Sequence, residues 1–227
     1  MVTHGKLIAI EGIDGSGKGT QAQRLLTHLQ AAGRRGTLLS FPRYDATFFG
    51  RAVGEYLNGA FGSLGQVHPF FASLLFAGDR FESRNMLCAA VAEQDVVVLD
   101  RYVASNIAHQ AARLDGDARQ RLIEAIEYLE FEVYRLPRPD LVVLLDLSVP
   151  AAQRLIATKP RRTYTERSAD IQEADGNYLA GVRELYLELA GRDPEWSVIV
   201  CERQGAVRSV EDIADEIAQR VERQLTT

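Results

Sequence analysis

The sequence has little of what several protein classes require. It contains only two cysteines, Cys88 and Cys201, which lie far apart and match no metal-binding or redox spacing. We expect two buried thiols in a reducing compartment, and therefore a cytoplasmic protein. No apolar run approaches the roughly 20 residues that a membrane-spanning helix needs. The formal net charge of −5 provides no broad basic surface, so neither a membrane nor nucleic acid is an expected partner.

The chain also lacks internal repeats, low-complexity tracts and Pro/Ser-rich linkers, so residues 1–227 are expected to form a single domain. Short apolar, β-branched runs alternate with longer segments of helical spacing; the runs are residues 7–10, 37–41, 96–99, 141–147 and 197–200. This alternation predicts an α/β fold with a five-stranded parallel sheet covered by helices on both faces. Between the strands, one helical stripe comprises Leu122, Ile123, Ile126, Leu129 and Val133.

A glycine-rich segment follows the first apolar run and precedes a helical pattern at residues 21–29. Its spacing is that of a phosphate-binding loop (P-loop) between a strand and a helix, which makes a P-loop NTPase the predicted fold. The backbone N–H groups of such a loop hold polyphosphate, and Lys18 reaches the outer phosphates. The predicted nucleoside triphosphate site comprises Gly12, Ile13, Asp14, Gly15, Ser16, Gly17, Lys18, Gly19 and Thr20.

The position after the loop lysine departs from the usual pattern. It is commonly Ser or Thr, whose hydroxyl binds Mg²⁺, whereas this chain has Gly19 followed by Thr20. The segment 17–21 resembles the loop of adenylate kinases. The metal is then held through water, through Thr20 or through a carboxylate elsewhere. Asp100, which follows the apolar run 96–99, is the candidate carboxylate; its alternative role is a helix cap or a partner of Arg101.

Further motifs follow the loop in a fixed order: Phe-Pro-Arg at 41–43, Leu-Phe-Ala-Gly-Asp-Arg at 75–80, Asp-Arg-Tyr at 100–102 and Leu-Pro-Arg-Pro-Asp-Leu at 136–141. With the loop at 11–18, they resemble the thymidylate kinases, a group of P-loop nucleoside-monophosphate kinases. The similarity runs from about residue 6 to about residue 189. The resemblance implies transfer of the γ-phosphate of ATP to dTMP, which gives dTDP and ADP.

The resemblance also implies roles for individual residues of the acceptor site. Arg43 and Arg101 are expected to contact the acceptor phosphate, because forked guanidinium donors suit phosphate oxygens. Asp14 is expected near that phosphate and the deoxyribose, where it aligns the acceptor together with Arg101. At the base, the resemblance implies that Arg80 reaches the thymine edge, Phe76 stacks on the ring and Asn106 hydrogen-bonds the base. Phe41 completes the expected substrate-binding set with His109.

Three of these positions keep a structural alternative. Arg80 alone would be a solvated or paired arginine on a helix. Phe76 alone would be assigned to the core, because apolar residues surround it. His109 stands where many family members have an aromatic residue under the sugar, and a histidine there either stacks on the sugar or lies at the surface. Because of this departure, the acceptor could differ somewhat from dTMP.

The basic segment 159–167 resembles the family's lid, which we place at about residues 158–175. The P-loop carries no arginine, so Arg161, Arg162 and Arg167 are candidate catalytic arginines that neutralise charge in the transition state. Their alternative is a solvated basic loop. Glu166 resembles a lid acid near the sugar or the metal, so the candidate Mg²⁺ ligands are Asp14, Asp100 and Glu166.

These observations predict a nucleoside-monophosphate-kinase-like domain that uses ATP, dTMP and Mg²⁺. Family members are commonly homodimers, so a homodimer is expected. One alternative is a kinase for another nucleoside monophosphate or for a (deoxy)nucleoside. Another is a P-loop binding protein without phosphotransfer, which would have no need of a second arginine-lined pocket.

Overall fold

A computed structural model describes residues 5–157 and 176–225. Its main sheet has five parallel strands: β1 (Lys6–Glu11), β2 (Gly36–Ser40), β3 (Val96–Asp100), β4 (Leu141–Asp146) and β5 (Trp196–Val200), in the spatial order β2-β3-β1-β4-β5. The five predicted strands are therefore confirmed, with ends that differ by one residue. A short antiparallel hairpin, β6 (Glu202–Arg203) and β7 (Ala206–Val207), was not predicted.

Helices connect the strands and cover both faces of the sheet. They are α1 (Lys18–Ala31), α2 (Phe48–Leu57), α3 (Pro69–Glu82), α4 (Arg84–Glu93), α5 (Val103–Ala111), α6 (Gly116–Glu127), a π-helix (Tyr128–Val133), α7 (Val149–Ala157), α8 (Gly176–Arg192) and α9 (Val210–Leu225). Within the described ranges, no helix combines the length and apolar character needed to cross a bilayer.

The central strand β1 divides the core into two parts. Its residues alternate between the faces: Ile8 packs with Leu25 of α1 on one side, and Leu7 packs with Ile107 of α5 on the other. Because β1 lies between β3 and β4, the loop after it sits where the strand order reverses. That switch point is where open α/β sheets bind ligands, so the fold places the predicted P-loop there.

The apolar stripe predicted for residues 122–133 follows α6 only in part. Leu122, Ile123 and Ile126 are buried, but Leu129 is only half-buried and Val133 is exposed. The reason is that the chain passes from α6 into the π-helix, whose wider turn shifts the spacing of the side chains. The buried residue of this turn is Glu130 instead.

The two cysteines are free, as predicted, but they differ in exposure. Cys201 is buried after β5, whereas Cys88 on α4 is only half-buried.

Candidate active site

The glycine-rich loop lies at the carboxyl end of β1 and is shaped by positive φ angles at Gly12, Gly15 and Gly17, of 143°, 86° and 91°. Gly17 is the N-cap of α1 in a left-handed conformation that glycine adopts without strain. No side chain caps the first turn of α1, and the buried Ser16 Oγ has no partner within the described part of the chain. The loop therefore presents polar groups that a phosphate could satisfy.

Lys18 is buried beside this loop, and its Nζ donates to the carbonyl of Ile13 at 2.8 Å. Burial, followed by the positive charge of Arg101, lowers the pKa of Lys18 from 10.5 to about 7. Asp14 and Asp100 act in the opposite direction but do not restore its ordinary value. The protein thus holds an amine that an additional negative charge, such as a phosphate, would bring back to its protonated form.

Asp100 approaches the helix at the residue that replaces the usual Ser or Thr. A Cβ built on Gly19 would lie 2.9 Å from Asp100 Oδ2, so the carboxylate fills the space that a side chain at this position would need. Thr20 is exposed one residue further along α1. These groups border a cleft of about 450 Å³ that also contains Phe41 and Lys18 in its wall.

No group of three or more His, Cys, Asp or Glu side chains that could hold a metal occurs within residues 5–157 and 176–225. Magnesium in nucleotide sites is usually bound by one or two carboxylates together with substrate phosphates and water. Asp100 and Asp14, both on the cleft, fit that mode of binding better than an all-protein cage.

Arg101 and Asp14 form an ion pair at the cleft, where the family resemblance implies that they align the acceptor. Arg101 has a φ of 68°, and its N–H donates to the carbonyl of Ile10 at 3.1 Å, which directs its side chain across the loop. Its Nη2 donates to Asp14 Oδ1, and its Nη1 donates to Ser105 Oγ at 3.2 Å. Burial acts to lower the pKa of Arg101, but the surrounding acidic groups, Asp14 foremost, together outweigh it, so the pKa is raised and the guanidinium stays charged.

Glu11 holds the turn that carries Arg101, and sequence reasoning did not identify this role. Its fully buried carboxylate accepts from the N–H of Tyr102 at 2.7 Å, from Ser105 Oγ at 2.6 Å and from the Tyr186 hydroxyl at 2.9 Å. The sequence does contain a signal for this role, because Glu11 is a carboxylate at the end of an otherwise apolar strand that is predicted to be buried. Three donors satisfy it, so its burial is tolerated.

Arg43 lies half-buried after β2, and the neighbouring Asp79 fixes its backbone. Asp79 is fully buried; it accepts from the N–H of Arg43 at 3.0 Å and from Thr47 Oγ1 at 2.5 Å. Arg43 Nη1 donates to Ser83 Oγ at 3.3 Å. The Asp79 carboxylate therefore ties α3 to the loop that positions Arg43.

Arg80, on α3, is held in a bidentate ion pair; the sequence allowed for a paired arginine here but did not identify its partner. Its Nε and Nη2 donate to the two carboxylate oxygens of Glu130 at 2.5 and 2.6 Å. The side chains are 2% and 0% exposed. Burial opposes the charged form, but the charge and hydrogen bonds of Glu130, together with the charge of Asp79, outweigh it, and the pKa of Arg80 is raised. Glu130 also accepts from Asn106 Nδ2 at 2.9 Å, so the π-helix supplies the residue that joins two predicted base-contacting side chains.

Two buried amides near this pair each leave one polar atom without a partner in the described part of the chain, namely Asn106 Oδ1 and Gln110 Nε2. Their orientations are fixed by neighbours. Asn106 Nδ2 faces two acceptors, Glu130 and the carbonyl of Ser73 at 3.0 Å, so its oxygen points the other way. Gln110 Oε1 accepts from Arg113 at 3.1 Å, which leaves its nitrogen free. Since Asn106 and Gln110 are four residues apart on α5, they share one face.

The remaining predicted residues of the acceptor site also lie in this region of the fold. Phe76 is half-buried and meets Tyr56 edge-on, with 6.3 Å between ring centroids. Phe41 is buried at the cleft beside Tyr102. His109 is not a surface histidine; it is buried, and its Nε2 lies 3.5 Å from Arg101 Nη1. Stacking of His109 on the sugar of the acceptor stays a prediction.

The four predicted lid residues, Arg161, Arg162, Glu166 and Arg167, and the predicted lid at about residues 158–175 lie outside the described residues. Their catalytic and metal-binding roles stay predictions.

Comparison with known proteins identifies the family. The family model described as thymidylate kinase matches residues 10–217. A thymidylate kinase of Mycobacterium tuberculosis (strain H37Rv) is 36% identical over 195 residues, covering 85% of this chain and 90% of that protein. A probable thymidylate kinase of Thermococcus onnurineus (strain NA1) is 34% identical over 224 residues, covering 96% and 98%.

A solved thymidylate kinase structure from Candida albicans superimposes with a TM-score of 0.74 at 25% identity, covering 98% of this chain and 94% of that one. The two folds are thus similar over almost the whole chain although three quarters of the aligned residues differ. The chain belongs to the thymidylate kinase family.

Proposed function

We propose that this chain transfers the γ-phosphate of ATP to dTMP and releases dTDP and ADP. The observation that carries the proposal is a second set of polar side chains on α3 and α5, namely Arg80, Asn106 and Gln110, of which Asn106 Oδ1 and Gln110 Nε2 have no partner in the described part of the chain. Family membership supports the same activity. A protein that only bound a nucleoside triphosphate would have no use for this second set of groups.

Arg43 and Arg101 serve the acceptor phosphate in this proposal. Both are half-buried, and Arg101 is oriented by its contact with Asp14 at the mouth of the P-loop. Phosphoryl transfer depends on alignment and charge neutralisation, because the protein has little covalent chemistry to perform. Lys18 and the loop N–H groups hold the donor phosphates, and Arg101 brings the acceptor phosphate toward them.

The base is recognised by the hydrogen-bonding pattern of its edge. Thymine presents an acceptor, a donor and an acceptor in sequence at O4, N3–H and O2. Arg80, Asn106 Oδ1 and Gln110 Nε2 offer the matching donor, acceptor and donor. Cytosine carries a donor at N4 and an acceptor at N3, so it would face the wrong partners. An imperfect match leaves buried polar groups unpaired, which costs about 1–3 kcal/mol per group.

Magnesium is proposed as the resident metal. Asp100, whose carboxylate approaches Gly19, and Asp14 would hold it together with ATP phosphates and water. The metal would neutralise charge on the phosphates, while the chain's own residues set their position.

An acceptor screen tests the proposal. ADP formation is measured with ATP, Mg²⁺ and each of dTMP, dUMP, UMP, dCMP, CMP, AMP, GMP and thymidine, and without any acceptor. We expect dTMP to be preferred over dCMP by at least about 100-fold in kcat/KM. A preference for thymidine would favour a nucleoside kinase, since the arginines would then have no phosphate to bind. No acceptor-dependent ADP at all would leave a nucleotide-binding protein.

Two matched variants separate base recognition from general damage. Gln110→Leu removes the donor proposed for thymine O2 and should raise the KM for dTMP while the KM for ATP stays within about twofold. Gln120→Leu changes an exposed amide on α6 and should alter neither constant. Equal effects of both variants on dTMP would remove Gln110 from the base site.

A homodimer is proposed from exposed aromatic side chains on α2 and α3. Phe48 and Phe71 are 65% and 64% exposed, and Phe70 and Phe81 are 40% and 50% exposed. Several exposed phenylalanines on two packed helices are more than scattered surface residues and indicate a contact surface. Sedimentation of the wild type should give twice the 25.2 kDa chain mass, and Phe71→Asp should give a monomer. Val207→Asp, at another exposed apolar position, is the control.

A further inference from the structure

His109 occupies a position that the proposed function leaves without a task. It lies on α5 with its side chain buried against Arg101 and two tyrosines of α8. The Tyr178 ring lies 5.9 Å away between centroids, and the Tyr186 ring meets it edge-on at 6.4 Å. A buried imidazole next to a substrate-binding arginine must have a defined protonation, because its two nitrogens face different partners.

Tyr178 fixes which imidazole nitrogen carries the proton. The Tyr178 hydroxyl lies 2.9 Å from the carbonyl of His109 and 3.0 Å from its Nδ1. A hydroxyl has one hydrogen, and the carbonyl can only accept, so the hydroxyl donates to the carbonyl. Its oxygen is then available to accept from Nδ1–H.

Arg101 independently requires the same tautomer. Its Nη1, which lies 3.5 Å from His109 Nε2, can only donate. Nε2 must therefore be the unprotonated nitrogen. Burial, and to a smaller extent the charges of Arg101 and Lys18, lower the pKa of His109 to about 3, although Asp14 acts in the other direction. The ring is thus neutral and fully able to accept.

We propose that His109 is a positioning residue that holds Arg101 through an unprotonated Nε2, and that Tyr178 sets its tautomer. The inference rests on the proposed function, in which Arg101 binds the acceptor phosphate. Asp14 accepts from Nη2 of the guanidinium, and Ser105 and His109 both face Nη1, so the plane of the fork is fixed before substrate arrives. Because Tyr178 lies in the first turn of α8, that helix and the acceptor site form one hydrogen-bonded unit.

The tautomer is measured directly by ¹⁵N NMR of the imidazole side chains at pH 7. The chain has four histidines, and His109→Gln identifies the signals of His109. We expect a protonated Nδ1 and an unprotonated Nε2 in the wild type. In Tyr178→Phe, Nδ1–H loses its acceptor and the ring should shift toward the Nε2–H form. Tyr128→Phe, at an exposed tyrosine, should leave the spectrum unchanged.

Kinetics then show whether the tautomer matters to Arg101. An Nε2–H would turn a donor toward the arginine, so Tyr178→Phe should raise the KM for dTMP about threefold to tenfold, with the KM for ATP changed less than about twofold. His109→Leu should do the same. His109→Gln should recover most of the loss, because its side-chain oxygen can accept from Arg101. Rescue by Gln but not by Leu would not follow from packing alone.

The outcomes separate this inference from the proposed function. A wild-type His109 that is protonated at Nε2, or charged at pH 7, would overturn it even if every variant failed to fold. An unchanged tautomer and dTMP KM in Tyr178→Phe would overturn it as well. By contrast, the expected Nδ1–H tautomer in a chain that forms no dTDP would overturn the proposed function and leave the tautomer assignment intact.

Discussion

Glu130→Gln tests whether the ion pair behind the base pocket is as important as its burial suggests. The substitution keeps the side-chain volume but removes the charge that faces Arg80, and both residues are at most 2% exposed. A buried guanidinium without its counter-charge costs about 3–5 kcal/mol. Natural domains have only about 5–15 kcal/mol of stability in total, so the loss should be large.

Urea unfolding followed by circular dichroism measures the effect. With a urea dependence of about 3 kcal/mol per molar, the midpoint should fall by about 1–2 M. Glu132→Gln is the matched control: Glu132 pairs with Arg138 near the same turn, but these side chains are 59% and 62% exposed. An exposed pair contributes about 0–1 kcal/mol, so this variant should unfold near the wild-type midpoint.

A double variant separates stability from recognition. In Arg80→Met with Glu130→Met neither charge remains, so the chain should be more stable than Glu130→Gln alone. The KM of this double variant for dTMP should nevertheless exceed that of the wild type, because the proposed contact of Arg80 with the base is lost. The reasoning is refuted if Glu130→Gln unfolds within about 0.5 kcal/mol of the wild type, which would mean that the pair is not buried in solution.

Three further predictions concern the phosphate side of the site. Lys18 has a pKa of about 7 in the free protein, and a bound phosphate raises that pKa. At pH 8 the protein should therefore take up about 0.9 proton from solution when it binds ATP. Calorimetry in buffers of different ionisation enthalpy measures this uptake. Lys18→Met should abolish this uptake; zero uptake by the wild type would contradict the pKa. Arg101→Ala should raise the KM for dTMP by about 10- to 100-fold in initial-rate assays, because a charged hydrogen bond to phosphate contributes about 1.5–3 kcal/mol of binding free energy. A selective loss of ATP affinity would contradict the assignment of Arg101 to the acceptor phosphate. Gly19→Ala would force Asp100 aside without adding a hydroxyl that could itself bind the metal, and it should raise the Mg²⁺ concentration for half-maximal rate; an unchanged Mg²⁺ titration would remove Asp100 from the metal site.

The proton bound by Lys18 also has a consequence for stability. Its pKa falls from 10.5 to about 7 on folding, so between these values the unfolded chain binds the additional proton. Burial of this group therefore lowers the free energy of unfolding. The penalty is largest below about pH 7, where both states hold the proton, and it disappears as the pH rises toward 10.5. Phosphate binding should cancel the effect, because it returns the folded-state pKa toward its ordinary value.

The sequence predicted the parts of the site that depend on local patterns. Apolar runs located the strands, and the rule that ligands gather at the carboxyl ends of strands singled out the segment that contains Arg101. The placement of Asp14 beside Arg101 was implied by the family resemblance. Glu11, Gln110 and Glu130 were missed because each acts through partners that are distant in sequence or through an orphaned atom visible only in three dimensions. Glu130 in particular was not predicted to be buried, because the helical periodicity assigned Leu129 and Val133 to the core instead.

The π-helix makes the base pocket sensitive to the deletion of a single residue. Its six residues, Tyr128–Val133, accommodate a wider turn than a regular helix, and that turn directs Glu130 toward Arg80. Removal of one residue at its start would favour a regular helix and rotate the side chains on one side of the deletion by about 100° relative to the other. In this chain, we therefore expect a single-residue deletion at the start of the π-helix, a segment that is not proposed to touch the nucleotide, to change base preference more than many substitutions inside the pocket itself.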